Sequence, residues 1–122
     1  MTRILIIDDS EVIRNLLQEF LSDLGHKVDL AYDGHQGKAL ALENDYDAIF
    51  CDVHMPKLNG YEVFRSVIAI KPKSRFIMTD SLPDELADMA VEQGAYCCLS
   101  KPFDLDQVRE TLDKLLNKSQ KV

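Results

Sequence analysis

Three charged stations close apolar runs in this chain. Asp8-Asp9 follows Ile4-Leu5-Ile6-Ile7, Asp52 follows Ala48-Ile49-Phe50-Cys51, and Lys101-Pro102 comes shortly after Cys97-Cys98-Leu99. Short continuous apolar runs read as strands buried on both faces of a parallel sheet. In an open α/β sheet the carboxyl ends of the strands gather along one edge, where ligands bind. Three carboxylates and one ammonium, scattered through the sequence, would therefore meet. Neighbouring carboxylates repel, and burial adds to the cost of ionising them. A hard divalent cation relieves both problems; Mg²⁺ commonly takes one or two carboxylates, several waters and a phosphate oxygen. Asp9 and Asp52 suffice as direct ligands, with Asp8 acting through water or holding the ion in place. A carboxylate beside such an ion is also a competent nucleophile toward a phosphoryl group. Lys101 would bring positive charge to the transferred oxygens, and Thr79 a hydroxyl donor.

The elements that must position these residues alternate five times between strand and helix. After the first strand, Ile13, Leu16, Leu17, Phe20, Leu21 and Leu24 repeat at three and four, predicting a helix over residues 10–24 that Gly25 terminates. A strand at 27–31 and a helix at 34–44 follow, then a strand at 47–51. The loop Met55-Pro56-Lys57-Leu58-Asn59-Gly60 leads to a helix at 61–70, and Pro72 precedes a strand at 75–78. Ser81 as a cap, Pro83 near the first turn and Asp84 on the positive end of the dipole announce a helix ending at Gly94. A last strand at 96–99 runs through Lys101 to a helix carrying Leu105, Val108, Leu112, Leu115 and Leu116. Repeated β-then-α units require right-handed crossovers and a doubly wound parallel sheet with helices on both faces. The expectation is a single α/β domain of five strands and five helices over residues 1–122, with a folded core to 118 and a loose tail at 119–122.

Bulk composition narrows the function. The 122 residues carry Lys+Arg 14 against Asp+Glu 21, a net charge of −7. Neutralising phosphates supplies most nucleic-acid affinity, so an acidic domain is a poor direct binder of nucleic acid. The same sign argues against anionic lipid. No apolar run approaches the roughly 20 residues that span a bilayer. Cys51, Cys97 and Cys98 lie within apolar segments and read as free, buried thiols, which fits the cytoplasm.

At this point the chain resembles the receiver domain of two-component response regulators, of the chemotaxis-regulator kind. The resemblance rests on Asp8-Asp9, Asp52, Met55-Pro56 with Asn59-Gly60, Thr79 and Lys101-Pro102-Phe103, in that order and across essentially the whole chain. It implies a flavodoxin-like strand order 2-1-3-4-5. It also implies that Asp52 accepts phosphate from a sensor histidine kinase or a histidine phosphotransfer protein. Mg²⁺, with Mn²⁺ able to substitute, would sit on Asp9, Asp52 and the backbone carbonyl of His54, supported by Asp8. Thr79 and Lys101 would hold the phosphoryl group. A downstream protein would read the face made by the fourth helix, fifth strand and fifth helix, in a monomer or weak dimer. Such a domain phosphorylates and dephosphorylates itself without turning over a separate metabolite, so it is not an enzyme in that sense.

Two positions depart from the family pattern, and His54 stands at one that varies within it. Position 80, usually small, is Asp80; a carboxylate near an incoming phosphoryl group would cost around 1 kcal/mol or more. Ser81 and Pro83 suggest an exposed helix start, from which Asp80 points outward toward a basic kinase residue. The position three before the lysine, usually Tyr or Phe, is Cys98, with Tyr96 two residues earlier as a substitute on the same face. His54 is variable in the family and tunes dephosphorylation, or it is a solvent-facing loop residue; Asp80 and Ser81 are further candidates for tuning rates. The rival is a degenerate receiver that binds partners without phosphorylation. A haloacid dehalogenase-like phosphatase needs its two aspartates two apart, and a flavodoxin relative needs a Ser/Thr-rich loop where Asp8-Asp9 stands.

Overall fold

A computed structural model of the chain describes residues 2–82 and 84–120. Five strands alternate with five helices: β1 Arg3–Ile7, α1 Glu11–Asp23, β2 Lys27–Ala31, α2 Gly34–Glu43, β3 Ala48–Asp52, α3 Gly60–Ile70, β4 Phe76–Asp80, α4 Glu85–Glu92, β5 Cys97–Ser100 and α5 Leu105–Gln120. Every pairing is parallel and the sheet order is β2-β1-β3-β4-β5, the doubly wound flavodoxin-like arrangement expected. Two registers fix the site: Asp52 lies opposite Thr79, and Asp80 opposite Ser100.

Alternation along each strand divides the apolar residues between two layers. Leu5, Ile7, Ile49, Cys51, Phe76 and Met78 pack with Ala41 of α2, Val63, Phe64 and Val67 of α3, and Ala87 and Ala90 of α4. Phe64 meets Phe76 edge to face, with ring centroids 5.3 Å apart. On the other side Ile4, Ile6, Phe50, Ile77 and Leu99 pack with Leu17 and Leu21 of α1 and Val108, Leu112 and Leu115 of α5. The buried stripe of α1 is narrower than its periodicity predicts, since Leu16 and Leu24 are each 40% exposed.

Local chemistry sets the boundaries. The Ser10 side chain caps α1 by accepting from the Ile13 N–H. Gly25, at φ +94°, takes the left-handed turn that lets the Gly25 and His26 N–H groups donate to the Ser22 and Leu21 carbonyls. Lys71 Nζ donates to the Ala41 and Asn44 carbonyls at 3.2 and 2.7 Å, closing the end of α2. Three expectations need correction. β4 continues through Thr79 and Asp80 instead of stopping at Met78, because both residues stay paired with neighbouring strands. The cap of α4 is Asp84, whose side chain accepts from the Leu86 N–H, and not Ser81. α5 continues to Gln120, so positions 119 and 120 are helical and not tail. Pro83 and tail positions 121 and 122 lie outside the described residues. Among the described residues no helix is long and apolar enough to cross a membrane.

This packing separates core from surface within one helix. Leu21→Ala is expected to lower unfolding free energy by about 2–5 kcal/mol, whereas Leu16→Ala should cost about 1 kcal/mol or less. Urea denaturation of the two variants checks the contrast.

Candidate functional site: a carboxylate cleft at the carboxyl edge of the sheet

Asp8 directly follows β1, and its backbone N–H donates to the Ala31 carbonyl at 3.1 Å. Its Oδ1 accepts from the Ser10 N–H at 2.8 Å, and Arg14 Nη1 donates to its backbone oxygen at 2.8 Å. The start of α1 therefore fixes where Asp8 points. Asp52 ends β3, and the Val53 N–H donates to the Thr79 carbonyl, locking Asp52 and Thr79 level with each other. Asp8, Asp52 and Thr79 are 2%, 4% and 2% exposed. Asp9 is exposed. Lys101 enters from the loop after β5, where its N–H donates to the Asp80 carbonyl and its bond to Pro102 is cis. Its Nζ lies 2.8 Å from Asp8 Oδ2 and 3.4 Å from Asp52 Oδ2. The residues expected to converge from three strand ends do so.

On the far side of Asp52, the Asn59 side chain and Glu62 form a reciprocal cap on α3. The Gly60 N–H donates to the Val53 carbonyl at 2.7 Å. A Cβ at Gly60 would overlap the Asp52 carbonyl oxygen, so only glycine fits there. This close approach gives the Asn59-Gly60 pair its physical reason.

Electrostatics follow from burial and proximity. Burial first, then the Asp8 charge, pushes Asp52 up to about 7, with Lys101 opposing both. Burial pulls Lys101 down, but its hydrogen bond to Asp8 and the charges of Asp52 and Asp8 win, and it is held above its usual value. Carboxylate oxygens of Asp8, Asp9 and Asp52 lie within 4.8 Å of one another. One ammonium against three carboxylates leaves a deficit of positive charge, and an all-oxygen donor set fits a hard divalent cation. The cleft has a volume of about 660 Å³ and is lined by Asp9, Ser10, Asp52, His54, Asp80, Ser81, Lys101 and Pro102 among others.

Two expectations about the departures are overturned. Asp80 does not point outward: it is 2% exposed and lines the cleft. Its position on β4, paired with β5, dictates this orientation where loop freedom was expected. Its Oδ1 accepts from the Leu82 N–H at 3.2 Å, while Oδ2 lies 3.4 Å from His54 Nε2. Tyr96 does not share a face with Cys98. Cys98 packs in the α2–α3–α4 layer and Tyr96 in the α1–α5 layer, because Tyr96 precedes the first residue of β5 and strand alternation does not extend to it. All three cysteines are free, but only Cys51 is fully buried. His54 is half-exposed yet not a bare loop residue, since its Nε2 lies 2.9 Å from Asp84 Oδ2. Sequence reasoning placed Asp84 only at a helix start; its pairing with His54 across two loops has no periodic signal.

A five-stranded parallel sheet carrying an acidic cluster, a threonine and a lysine at its carboxyl edge defines the receiver class of α/β domains. The chain belongs to the response regulator receiver domain family, which it matches over residues 4–113. It is 37% identical over 114 residues to the transcriptional regulatory protein ZraR of Salmonella typhimurium, covering 93% of this chain and 26% of ZraR. It thus spans about a quarter of that relative's length. Among solved structures it is similar to the response regulator TrrA of Thermotoga maritima in complex with Mg(2+)-BeF, with 30% identity, a TM-score of 0.87 and coverage of 95% and 100% of the two chains. A receiver domain protein from Clostridium thermocellum gives a TM-score of 0.92 at 27% identity, covering 98% of each chain.

The raised Asp52 pKa has a signed consequence for stability. Its folded value of about 7 exceeds the unfolded carboxylate value of about 3.9. The native state therefore holds the extra proton between these values, and stability falls as pH rises from about 4 through 7. Asp52→Asn lacks this term, so in EDTA it should unfold at higher urea than the wild type at pH 8, by at least about 1 kcal/mol. The gap should shrink toward pH 4.5, as urea titrations across that range would show.

Proposed function

We propose that Asp52 is a phosphoacceptor, taking a phosphoryl group from the phosphohistidine of a sensor histidine kinase or histidine phosphotransfer protein. The observation that carries this reading is a buried Asp52 carboxylate, level with Thr79, that shares the Lys101 ammonium with Asp8. An Asp52 oxygen forms the new P–O bond as the donor's P–N bond breaks. Lys101 is free to exchange one of its carboxylate contacts for a phosphoryl oxygen, and Thr79 supplies a hydroxyl from the adjacent strand. Mg²⁺, or Mn²⁺ in its place, would be held by Asp9, Asp52 and the His54 backbone carbonyl with Asp8 in support, and supplies positive charge to the phosphoryl oxygens when bound. Phosphorylation adds about −1.5 to −2 charges to this acidic edge, which makes the cation and Lys101 necessary counterweights. TrrA, a structural neighbour, was solved with Mg(2+)-BeF, and that likeness supports the cation's place in the reading.

The output is the binding of a downstream protein at α4, β5 and α5, in the cytoplasm, by a monomer or weak dimer. An acidic chain of net charge −7 suits a protein partner better than nucleic acid or an anionic membrane. The chemistry is self-directed, with Asp52 both nucleophile and substrate, so the domain is not a turnover enzyme. A thiol at Cys98 cannot fill the space of an aromatic ring, so the α4–β5–α5 face is read here without the aromatic that is usual at this position. The buried Asp80 favours one second reading, a partner-regulated module in which that carboxylate blocks phosphotransfer.

Intact mass after incubation with Mg²⁺ and acetyl phosphate separates the two. A single phosphoryl adduct is expected, absent in Asp52→Asn and in EDTA; no adduct with any donor would favour the partner-regulated module. Removing the Asp80 carboxylate should lessen repulsion of the donor by around 1 kcal/mol, so Asp80→Ala is expected to phosphorylate about fivefold faster. An unchanged rate in stopped-flow measurements would remove Asp80 as a brake.

A further inference from the structure

Outside the acid triad, one cluster of side chains lacks an account. His54 in the loop after β3, Asp80 at the end of β4 and Asp84 at the cap of α4 bring one donor atom each to within 4.8 Å of one another. Each aspartate uses one oxygen locally and turns the other toward the histidine. Asp80 Oδ1 accepts from the Leu82 N–H and Asp84 Oδ1 from the Leu86 N–H. The two Oδ2 atoms lie 3.4 and 2.9 Å from His54 Nε2. An ion pair satisfies only part of this geometry. Nε2 is within hydrogen-bond distance of Asp84, whereas Asp80 Oδ2 is buried and has no hydrogen-bond partner among the described residues. A buried carboxylate oxygen left in that state is costly.

We propose that His54, Asp80 and Asp84 form a second cation site at the rim of the cleft, selective for a zinc-class divalent ion over Mg²⁺. Imidazole nitrogen and carboxylate oxygen are both zinc ligands, and three of them leave a fourth tetrahedral position open, whereas Mg²⁺ prefers oxygen alone. Tetrahedral zinc with bonds near 2.0–2.2 Å sets its donors roughly 3.3–3.5 Å apart; the His54–Asp80 contact of 3.4 Å already has that spacing, and the His54–Asp84 contact of 2.9 Å would open by roughly 0.5 Å. The ion's two charges would balance the two carboxylates and give Asp80 Oδ2 the partner it lacks. It would also fasten the start of α4 to the loop that follows Asp52. The site uses no side chain of Asp8, Asp9 or Asp52, so it stands or falls apart from the phosphoacceptor reading.

Zinc titrated into the full chain against a chromogenic chelator, with Mg²⁺ in saturating excess, tests this directly. One equivalent should bind, and His54→Ala and Asp84→Asn should each weaken it about tenfold or more. Asparagine caps a helix as well as aspartate does, so Asp84→Asn removes the ligand charge without unseating α4. Asp52→Asn should hold zinc within about twofold of the wild type, and Co²⁺ should give d–d bands without thiolate charge transfer. Absence of competition overturns the site, as does an affinity indifferent to His54→Ala. Zinc lost in Asp52→Asn, or Co²⁺ bands of thiolate type, would reassign the ion to the acid triad or the cysteines and overturn it equally.

Discussion

Two carboxylates almost out of reach of water, Asp8 and Asp52, share one ammonium, and the carboxyl edge of the sheet is organised around that shortage of positive charge. Parallel strands create the shortage by bringing residues from the ends of β1 and β3 together. The chain then returns through β5 to deliver Lys101 between them. Burial first, and then the Asp8 charge that one lysine cannot fully offset, hold Asp52 above the usual carboxylate range, and Asp9 adds a third acid to the same edge. Most other local features serve this arrangement. Ser10 and Arg14 hold Asp8 from the α1 side, and the Asp80 carbonyl holds the Lys101 backbone.

The architecture was legible because buried parallel strands and amphipathic helices leave strong patterns in the sequence, and charges at strand ends need no side-chain detail to be placed on a common edge. Asp9, Asp52 and Lys101 were found in that way. What stayed hidden depended on how far a strand continues. Reading β4 as ending at Met78 released Asp80 into a loop, whereas two more paired residues turn its carboxylate into the cleft. Beginning β5 one residue early put Tyr96 in phase with Cys98 and on the wrong layer. Side chains alternate only while the strand lasts, so placing a strand end one or two residues off misreads the direction of the residues there, and the site residues sit at strand ends. The contact between His54 and Asp84 was beyond reach for a different reason, since it joins two loops by side chains whose spacing in sequence carries no information.

Helix α4 is held mainly at its tips. Its first turn is capped by Asp84, which also meets His54. At the other end, Gln93 and Arg65 converge on the Tyr61 hydroxyl of α3, with contacts of 2.8 and 3.1 Å, and pair with each other at 2.7 Å. Between these ties its fully buried residues are small, Ala87 and Ala90, with Leu86 packing partly against the same layer. Small side chains contribute little burial energy, and the polar ties are exposed, so this helix is secured less firmly than α3, whose Val63, Phe64 and Val67 are fully buried.

The missing side chain at Gly60 has a mechanical consequence. The first turn of α3 rests directly on the Asp52 peptide, with no room for even one more carbon. One wall of the cleft is thus a bearing surface: the Asp52 peptide cannot rotate toward it without pushing a whole well-packed helix. The opposite wall, from Asp80 to Asp84, is joined by individual side-chain contacts that can be exchanged one at a time. The two walls of the cleft therefore yield differently, one only as a whole packed helix and the other contact by contact.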